Sequence, residues 1–254
     1  MGKVIAFEIE KGGSSKTTTV VNTAAILAEH GKSILVFDAD SQGNGTKRSG
    51  LLPNDYFGYS AFEVLKQEKS ISDCIVKTKF GYDIVPANET LQDIVVTLLM
   101  NTEKYKNPMF ILKNAIDEIR SKYDYILIDT PPTITFNTIT TLLAADSVII
   151  PMQCEEDAFE GAKAIIKAIY KYKPDLEIMG ILPTMFNRGT NSSTTILSKA
   201  RRFFEGKIKI YDTTIYRTVK FSEADIYRTP AVIHSDNEQV QEYRKFVKEC
   251  FGIG

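Results

Sequence analysis

Apolar and polar positions alternate along this chain between two patterns, short apolar runs and longer stretches of helical period. Residues 3–9, "KVIAFEI", form a short run rich in β-branched side chains, which predicts a buried strand. A Gly- and Ser-rich loop follows. In "TTTVVNTAAILAEHG" (17–31), Val20, Val21, Ala24, Leu27 and Ala28 recur at helical spacing, and Gly31 stands where a C-terminal cap belongs. "SILVFDAD" (33–40) predicts the next strand. Strand, loop, helix and strand make a βαβ unit, which implies parallel strands and a right-handed crossover.

The alternation continues. Strands are expected at 82–87, 123–130, 147–152, 177–186 and 209–216, with helices around 108–121, 157–171 and 192–204 and a closing helix over 237–251. Segment 46–72 has weak periodicity and reads as an irregular excursion. The fold class is therefore α/β, a mostly parallel twisted sheet with helices on both faces. Without repeats, low-complexity tracts or a linker, residues 1–254 read as a single domain.

Composition narrows the function classes. Hydrophobic residues make up 43% and charged residues 25%, as in ordinary globular proteins. A formal net charge of −1 gives no global positive field, so a site for a polyanion has to be a local patch. Cys74, Cys154 and Cys250 are odd in number and far apart; they suit neither a disulfide framework nor a metal cluster, and they fit a reducing cytosol. The N-terminus is too soon interrupted by charge for a signal peptide. No apolar run approaches the ~20 residues of a membrane span.

The chemistry concentrates in "KGGSSKTTT" (11–19). A phosphate loop needs converging backbone N–H groups, the positive end of a helix, and a lysine on the outer phosphates. Gly12 and Gly13 permit unusual backbone angles, Ser14 and Ser15 continue the loop, Lys16 is the lysine, and Thr17 offers a hydroxyl to Mg²⁺. Glu10 and Ser15 replace both outer glycines of the usual pattern, so the loop alone also reads as a plain turn after a strand. Its context argues otherwise. Asp38, Asp40 and Asp129 end two other predicted strands, and ligands of parallel sheets collect at the carboxyl ends of strands. Taken singly, each aspartate is equally a cap or turn residue. As a set beside the loop they suit Mg²⁺ held through water.

The segment "KGGSSKTTTVVNTAAILAEHGKSILVFDADSQGNGT" closely resembles the deviant Walker A segment of the ParA family of partition ATPases. The likeness continues through "YDYILIDTPP", "VIIPMQCEEDAFEG", "GILPTMFNR" and "TTIYRTVKFSEAD", and covers nearly the whole chain in order. The resemblance implies a P-loop ATPase, with ATP and Mg²⁺ as cofactors, that segregates plasmids or chromosomes. It implies an ATP-dependent nucleotide-sandwich homodimer that binds double-stranded DNA without sequence preference. It also implies a centromere-binding ParB-like partner that stimulates slow hydrolysis, and a cytoplasmic, nucleoid-associated location.

Carried over by position, Lys11 would reach the phosphates of the partner subunit; within one subunit it has no evident role and could be a solvated loop lysine. Lys16 would neutralise the outer phosphates, and Thr18 continues the nucleotide-binding run. Asp40 would orient the attacking water, and Thr17, Asp38 and Asp129 would support Mg²⁺. Asn187 lies where relatives contact adenine. Arg188, Arg217 and Lys220 lie at or near positions of DNA-contacting cations, and Lys199, Arg201, Arg202, Lys207 and Lys209 add charge to the same half. DNA binding is expected to require ATP, and because Arg217 and Lys220 lie far in sequence from the loop, replacing them is expected to weaken it while sparing ATP-dependent dimerisation. "IYRTVK" departs from the family's pattern, because Tyr216 replaces proline. Ser15 departs at the loop itself. Serine keeps its N–H, and if its φ is positive the cost is about 1–2 kcal/mol.

Two other classes share the loop. A MinD-like division-site regulator needs a C-terminal amphipathic membrane helix; residues 237–251 read instead as a last core helix with Tyr243, Phe246, Val247 and Phe251 inward. A metabolic enzyme needs an iron–sulfur cysteine pair or a substrate pocket, and neither is evident.

Overall fold

The structure, a computed structural model, describes residues 1–11, 13, 15–132 and 136–253. The first βαβ unit forms as its pattern requires: β1 (Lys3–Phe7), α1 (Lys16–Glu29) and β2 (Ile34–Asp38). Gly31 ends the helix region at φ 75°, the left-handed conformation that glycine adopts without steric cost. The excursion then carries two short helices, α2 (Asn44–Arg48) and α3 (Ala61–Leu65). α3 opens with a capping box, in which Ser60 and Glu63 satisfy each other's backbone N–H groups. An edge hairpin, β3 (Val76–Lys77) and β4 (Asp83–Val85), leads to α4 (Ile94–Met100) and α5 (Ile111–Ile119).

The second half is built from β5 (Tyr125–Asp129), α6 (Phe136–Ala144), β6 (Ser147–Gln153), α7 (Glu156–Tyr172), β7 (Glu177–Thr184) and α8 (Asn191–Phe204). Then come α9 (Lys220–Ile226), α10 (Ala231–His234) and α11 (Glu238–Phe251). Among the described residues the strands form one sheet in the order β3-β4-β2-β5-β1-β6-β7, parallel throughout except for β3. β1, β2 and β5 are almost wholly buried, as expected for strands covered on both faces. One side of the sheet packs Ile116, Leu142, Phe159, Ile165 and Phe204. The other packs Val20, Leu27, Tyr243 and Phe246.

The strand expected over 209–216 is corrected. Its backbone meets β7 only at isolated bridges, Ile181 with Ile210 and Phe186 with Tyr216. Opposite its middle stands Pro183, which accepts from Ile215 N at 2.9 Å but has no N–H to give back. The amides of Asp212 and Thr213 turn instead to the Glu249 carboxylate, both at 3.0 Å. The strand ladder is broken by one residue's missing donor.

α11 is a core helix. Val240, Tyr243, Phe246 and Val247 are at most 1% exposed, and the Tyr243 hydroxyl meets Thr19 Oγ1 of α1 at 3.1 Å. Its apolar face is therefore taken up by the core. No helix among the described residues is long and apolar enough to cross a membrane.

Candidate active site

The parallel register sets the site. β5 lies between β1 and β2, and its last residue, Asp129, is opposite Phe7 on one side and Asp38 on the other. Two carboxylates thus stand next to each other at the same sheet edge from which the loop 8–15 leaves β1. Asp38 is fully buried; its Oδ2 accepts from both Thr46 N and Thr46 Oγ1 at 2.8 Å. Asp40 is 8% exposed, and its Oδ1 accepts from Gln42 N at 3.0 Å. Asp129 is fully buried, with neither carboxylate oxygen hydrogen-bonded among the described residues. Gly45 completes this corner: a Cβ there would come within 3.0 Å of the Asp38 carboxylate and 3.2 Å of Asp129 Oδ2.

The loop approaches from the β1 side. Lys16 is 6% exposed and donates from Nζ to the carbonyls of Ile9 and Lys11, both at 3.2 Å. Ser15 caps α1 at φ 67°, ψ 14°. Its left-handed backbone meets the condition under which serine is strained, and its carbonyl accepts from Thr19 N at 2.8 Å and Thr19 Oγ1 at 2.7 Å. Gly13 is also left-handed, at φ 69°. The Gln153 amide at the end of β6 donates to the Gly13 carbonyl. Gly12 and Ser14, both expected in the phosphate loop, lie outside the described residues.

Beside them lies a cavity of about 290 Å³, which the buried Asp38 and Asp129 do not line. Gly13, Ser15, Lys16, Thr17, Thr18 and Asp40 line one part; Arg48, Met185, Phe221, Ser222 and Asp225 line another. Asn187 is not among the lining residues; its Oδ1 accepts from Gly189 N at 3.0 Å in a local turn.

Electrostatics follow from burial. Burial pushes Asp38 up to about 6, against its two bonds from Thr46. Burial, then the charge of Asp38, holds Asp129 well above the ordinary carboxylate range. Burial lowers the Lys16 ammonium, while Glu8, Asp129 and Asp40 oppose that shift. The site therefore crowds carboxylates around the Lys16 ammonium, and a further cation beside them would lower its energy. Among the described residues no three His, Cys, Asp or Glu side chains are grouped to cage a metal.

Sequence reasoning missed Glu8. It is fully buried beside Lys16, neither carboxylate oxygen has a hydrogen-bond partner among the described residues, and burial pushes it up to about 8. The one signal was an acidic residue inside an apolar run. It also missed Arg48, in a segment of weak periodicity, and Asp225, the last residue of the family-like stretch 213–225.

Lys11 is corrected. Within its own subunit it does have partners: Nζ donates to Glu155 Oε2 at 2.8 Å and lies 3.8 Å from Asp157 Oδ2. The expected DNA residues divide. Arg188 and Arg217 are exposed and close, because Phe186 and Tyr216 pair; the Arg188 guanidinium lies 4.0 Å over the Tyr216 ring. Lys220 pairs with Glu223 at 2.7 Å and begins α9, whose next residue lines the cavity. Distance in sequence did not separate it from the nucleotide side. Lys199, Arg201 and Lys209 are engaged by Glu156, Asp212 and Glu249.

A family model described as AAA domain matches residues 2–178. The sporulation initiation inhibitor protein Soj of Bacillus subtilis is 34% identical over 260 residues, covering 100% of both chains. The chromosome partitioning protein ParA of Myxococcus xanthus is 34% identical, over 92% of this chain and 82% of that protein. Among solved structures, cobyrinic acid a,c-diamide synthase from Mycobacterium smegmatis, with bound ATP analog and magnesium, superposes with a TM-score of 0.84. It is 29% identical and covers 98% of this chain and 93% of that one.

Proposed function

The chain belongs to the ParA and Soj family of partition ATPases, and we propose that it segregates DNA by an ATP-gated cycle. In this reading Mg²⁺–ATP drives a nucleotide-sandwich homodimer, and the dimer binds duplex DNA without sequence preference. Slow hydrolysis, stimulated by a ParB-like centromere-binding partner, resets it, and the protein works in the cytoplasm on nucleoid DNA. The observation that carries the reading is the convergence of Lys16, Thr17 and Asp40 on one cavity at the carboxyl end of the sheet, where Asp38 and Asp129 stand side by side, buried.

The residues present fit a magnesium ion and a nucleoside triphosphate. The orphaned oxygens of Asp129, beside the Asp38 carboxylate, suit a divalent cation that prefers oxygen ligands and keeps several waters. Thr17, Asp38 and Asp129 would hold it, Asp38 least directly because Thr46 already occupies one oxygen. When bound, the ion neutralises charge developing on the phosphates. Lys16 sits at the first residue of α1, where the helix N-terminus and an ammonium act on the same anion. Asp40, at the cavity wall, accepts a hydrogen bond from the attacking water and orients it. Lys11 leaves Glu155 and supplies a cation to the partner's phosphates, as an arginine finger does. The burial of α11's apolar face supports the partition reading over a membrane-bound regulator.

The test separates the roles. Asp40→Ala should keep ATP affinity and lose phosphate release, because Lys16 and Thr17 remain. Lys16→Ala should lose affinity itself. Light scattering should show wild type becoming dimeric with Mg²⁺–ATP and not with ADP. Equal loss of affinity in both variants, or a monomer under all nucleotide conditions, would refute the reading.

A further inference from the structure

Arg48 ends α2, in the segment that carries no recognisable motif. Its guanidinium lies on the cavity wall, where Nε and Nη2 grip the two oxygens of Asp225 at 2.5 and 2.8 Å. Nη1 donates to Thr18 Oγ1 at 3.0 Å. A guanidinium has five N–H donors in a planar fork, and three are engaged this way. The remaining two make no hydrogen bond among the described residues. The side chain is 23% exposed, so this cation is largely desolvated, pinned in orientation, and part of the cavity lining.

Position along the helix says what those donors face. Lys16 and Thr17, in the first turn of α1, address the outer phosphates in the reading above. Thr18 is the next residue, and its hydroxyl is already shared with Arg48. A phosphate chain whose outer end is held at Lys16 and Thr17 passes its inner phosphate by Thr18. Planar guanidinium donors match phosphate oxygens in geometry and charge.

We propose that Arg48 is a nucleotide-binding residue that contacts the innermost phosphate, which ATP and ADP both carry, with Asp225 holding its guanidinium in place. This rests on the cavity being the nucleotide site. It differs from the work of Lys16 and Lys11, which bear on the outer phosphates. Arg48 therefore contributes binding common to ground state and transition state, which changes KM and leaves kcat in place. The same ion pair joins α2, which follows Asp40, to α9.

The experiment is titration of ADP and ATP, each with Mg²⁺, into wild type, Arg48→Ala, Arg48→Lys, Asp225→Ala and Lys16→Ala, with melting curves for each. A charge-assisted hydrogen bond predicts a loss of about tenfold or more for Arg48→Ala, equal for ADP and ATP, with kcat retained. Arg48→Lys keeps the cation and should recover most of the affinity, although lysine cannot grip Asp225 in two places. Asp225→Ala breaks the α2–α9 link but keeps the cation, and should not copy the Arg48→Ala loss. If Arg48 is only a clamp, Arg48→Ala, Arg48→Lys and Asp225→Ala will lose affinity together, and the proposal is overturned. Unchanged affinity in Arg48→Ala overturns it as well. If Lys16→Ala also binds normally, it is the nucleotide reading of the cavity that has failed.

Discussion

Ser15→Gly asks whether the strain at this residue weighs on folding or on nucleotide binding. Ser15 sits at φ 67°, where a Cβ crowds the backbone at about 1–2 kcal/mol. Glycine removes that cost but loses roughly 0.5–1 kcal/mol more backbone freedom on folding. The net gain is then about 0.5–1 kcal/mol. It should appear in folding, because contacts within the protein itself hold the conformation. The Ser15 carbonyl accepts two bonds from Thr19, which is fully buried and tied to Tyr243. For a chain this long, about 1 kcal/mol moves the melting midpoint by roughly 2–4 °C. Circular dichroism without nucleotide should show a rise of that order or slightly less, while calorimetric titration should show ATP affinity changed by less than about twofold. Ser15→Ala keeps the Cβ, and Ser15 makes no side-chain cap bond, so alanine should behave like serine. A roughly tenfold gain in ATP affinity with an unchanged melting midpoint would refute the reasoning, since it would mean that nucleotide imposes the strained angle.

Glu8→Gln should stabilise the nucleotide-free protein more at pH 8 than at pH 6: with its carboxyl pushed up to about 8, wild type keeps the proton when folded and releases it when unfolded, so its stability falls as pH rises between about 4.5 and 8. The slope is at most about 1.4 kcal/mol per pH unit, and urea unfolding giving the same gain at both pH values would contradict this. Glu155→Gln frees Lys11 from a half-exposed pair worth ~0–1 kcal/mol in each subunit, so sedimentation with Mg²⁺–ATP should show a dimer up to about thirtyfold tighter; a weaker dimer would show that Glu155 assists rather than competes. Arg217→Glu should lower affinity for two unrelated duplexes equally and reduce the log–log salt slope by roughly 0.9 for each phosphate no longer neutralised. Arg217 is the better probe than Lys220, because it neither lines the cavity nor lies on α9, which helps to form its wall; fluorescence anisotropy showing one duplex spared would point to base recognition.

How much of this was legible in the sequence depends on where each property is encoded. Elements whose pattern is local were readable: β1, α1 and β2 fall where periodicity puts them, and Gly31 ends the helix region as its missing Cβ allows. α3 lies in the stretch read as irregular, yet its Ser60–Glu63 capping box was written there. The strand at 209–216 failed for a different reason. Its own pattern is sound, and what breaks it is Pro183, a residue of another strand that only becomes its neighbour on folding.

The site divides in the same way. Lys16, Thr17, Asp38, Asp40 and Asp129 follow from a rule about sheet edges, and the register puts Asp38 and Asp129 side by side. The conformation of Ser15, the Lys11–Glu155 pair and the Arg48–Asp225 grip depend on contacts between segments up to 177 residues apart. Those long-range contacts touch each part of the proposed cycle. Lys11 is held by its own subunit until a partner's phosphates compete for it. Arg48 ties the segment after Asp40 to the helix that starts at Lys220. A motif names the groups that meet the nucleotide, while the contacts that position those groups are written across the fold.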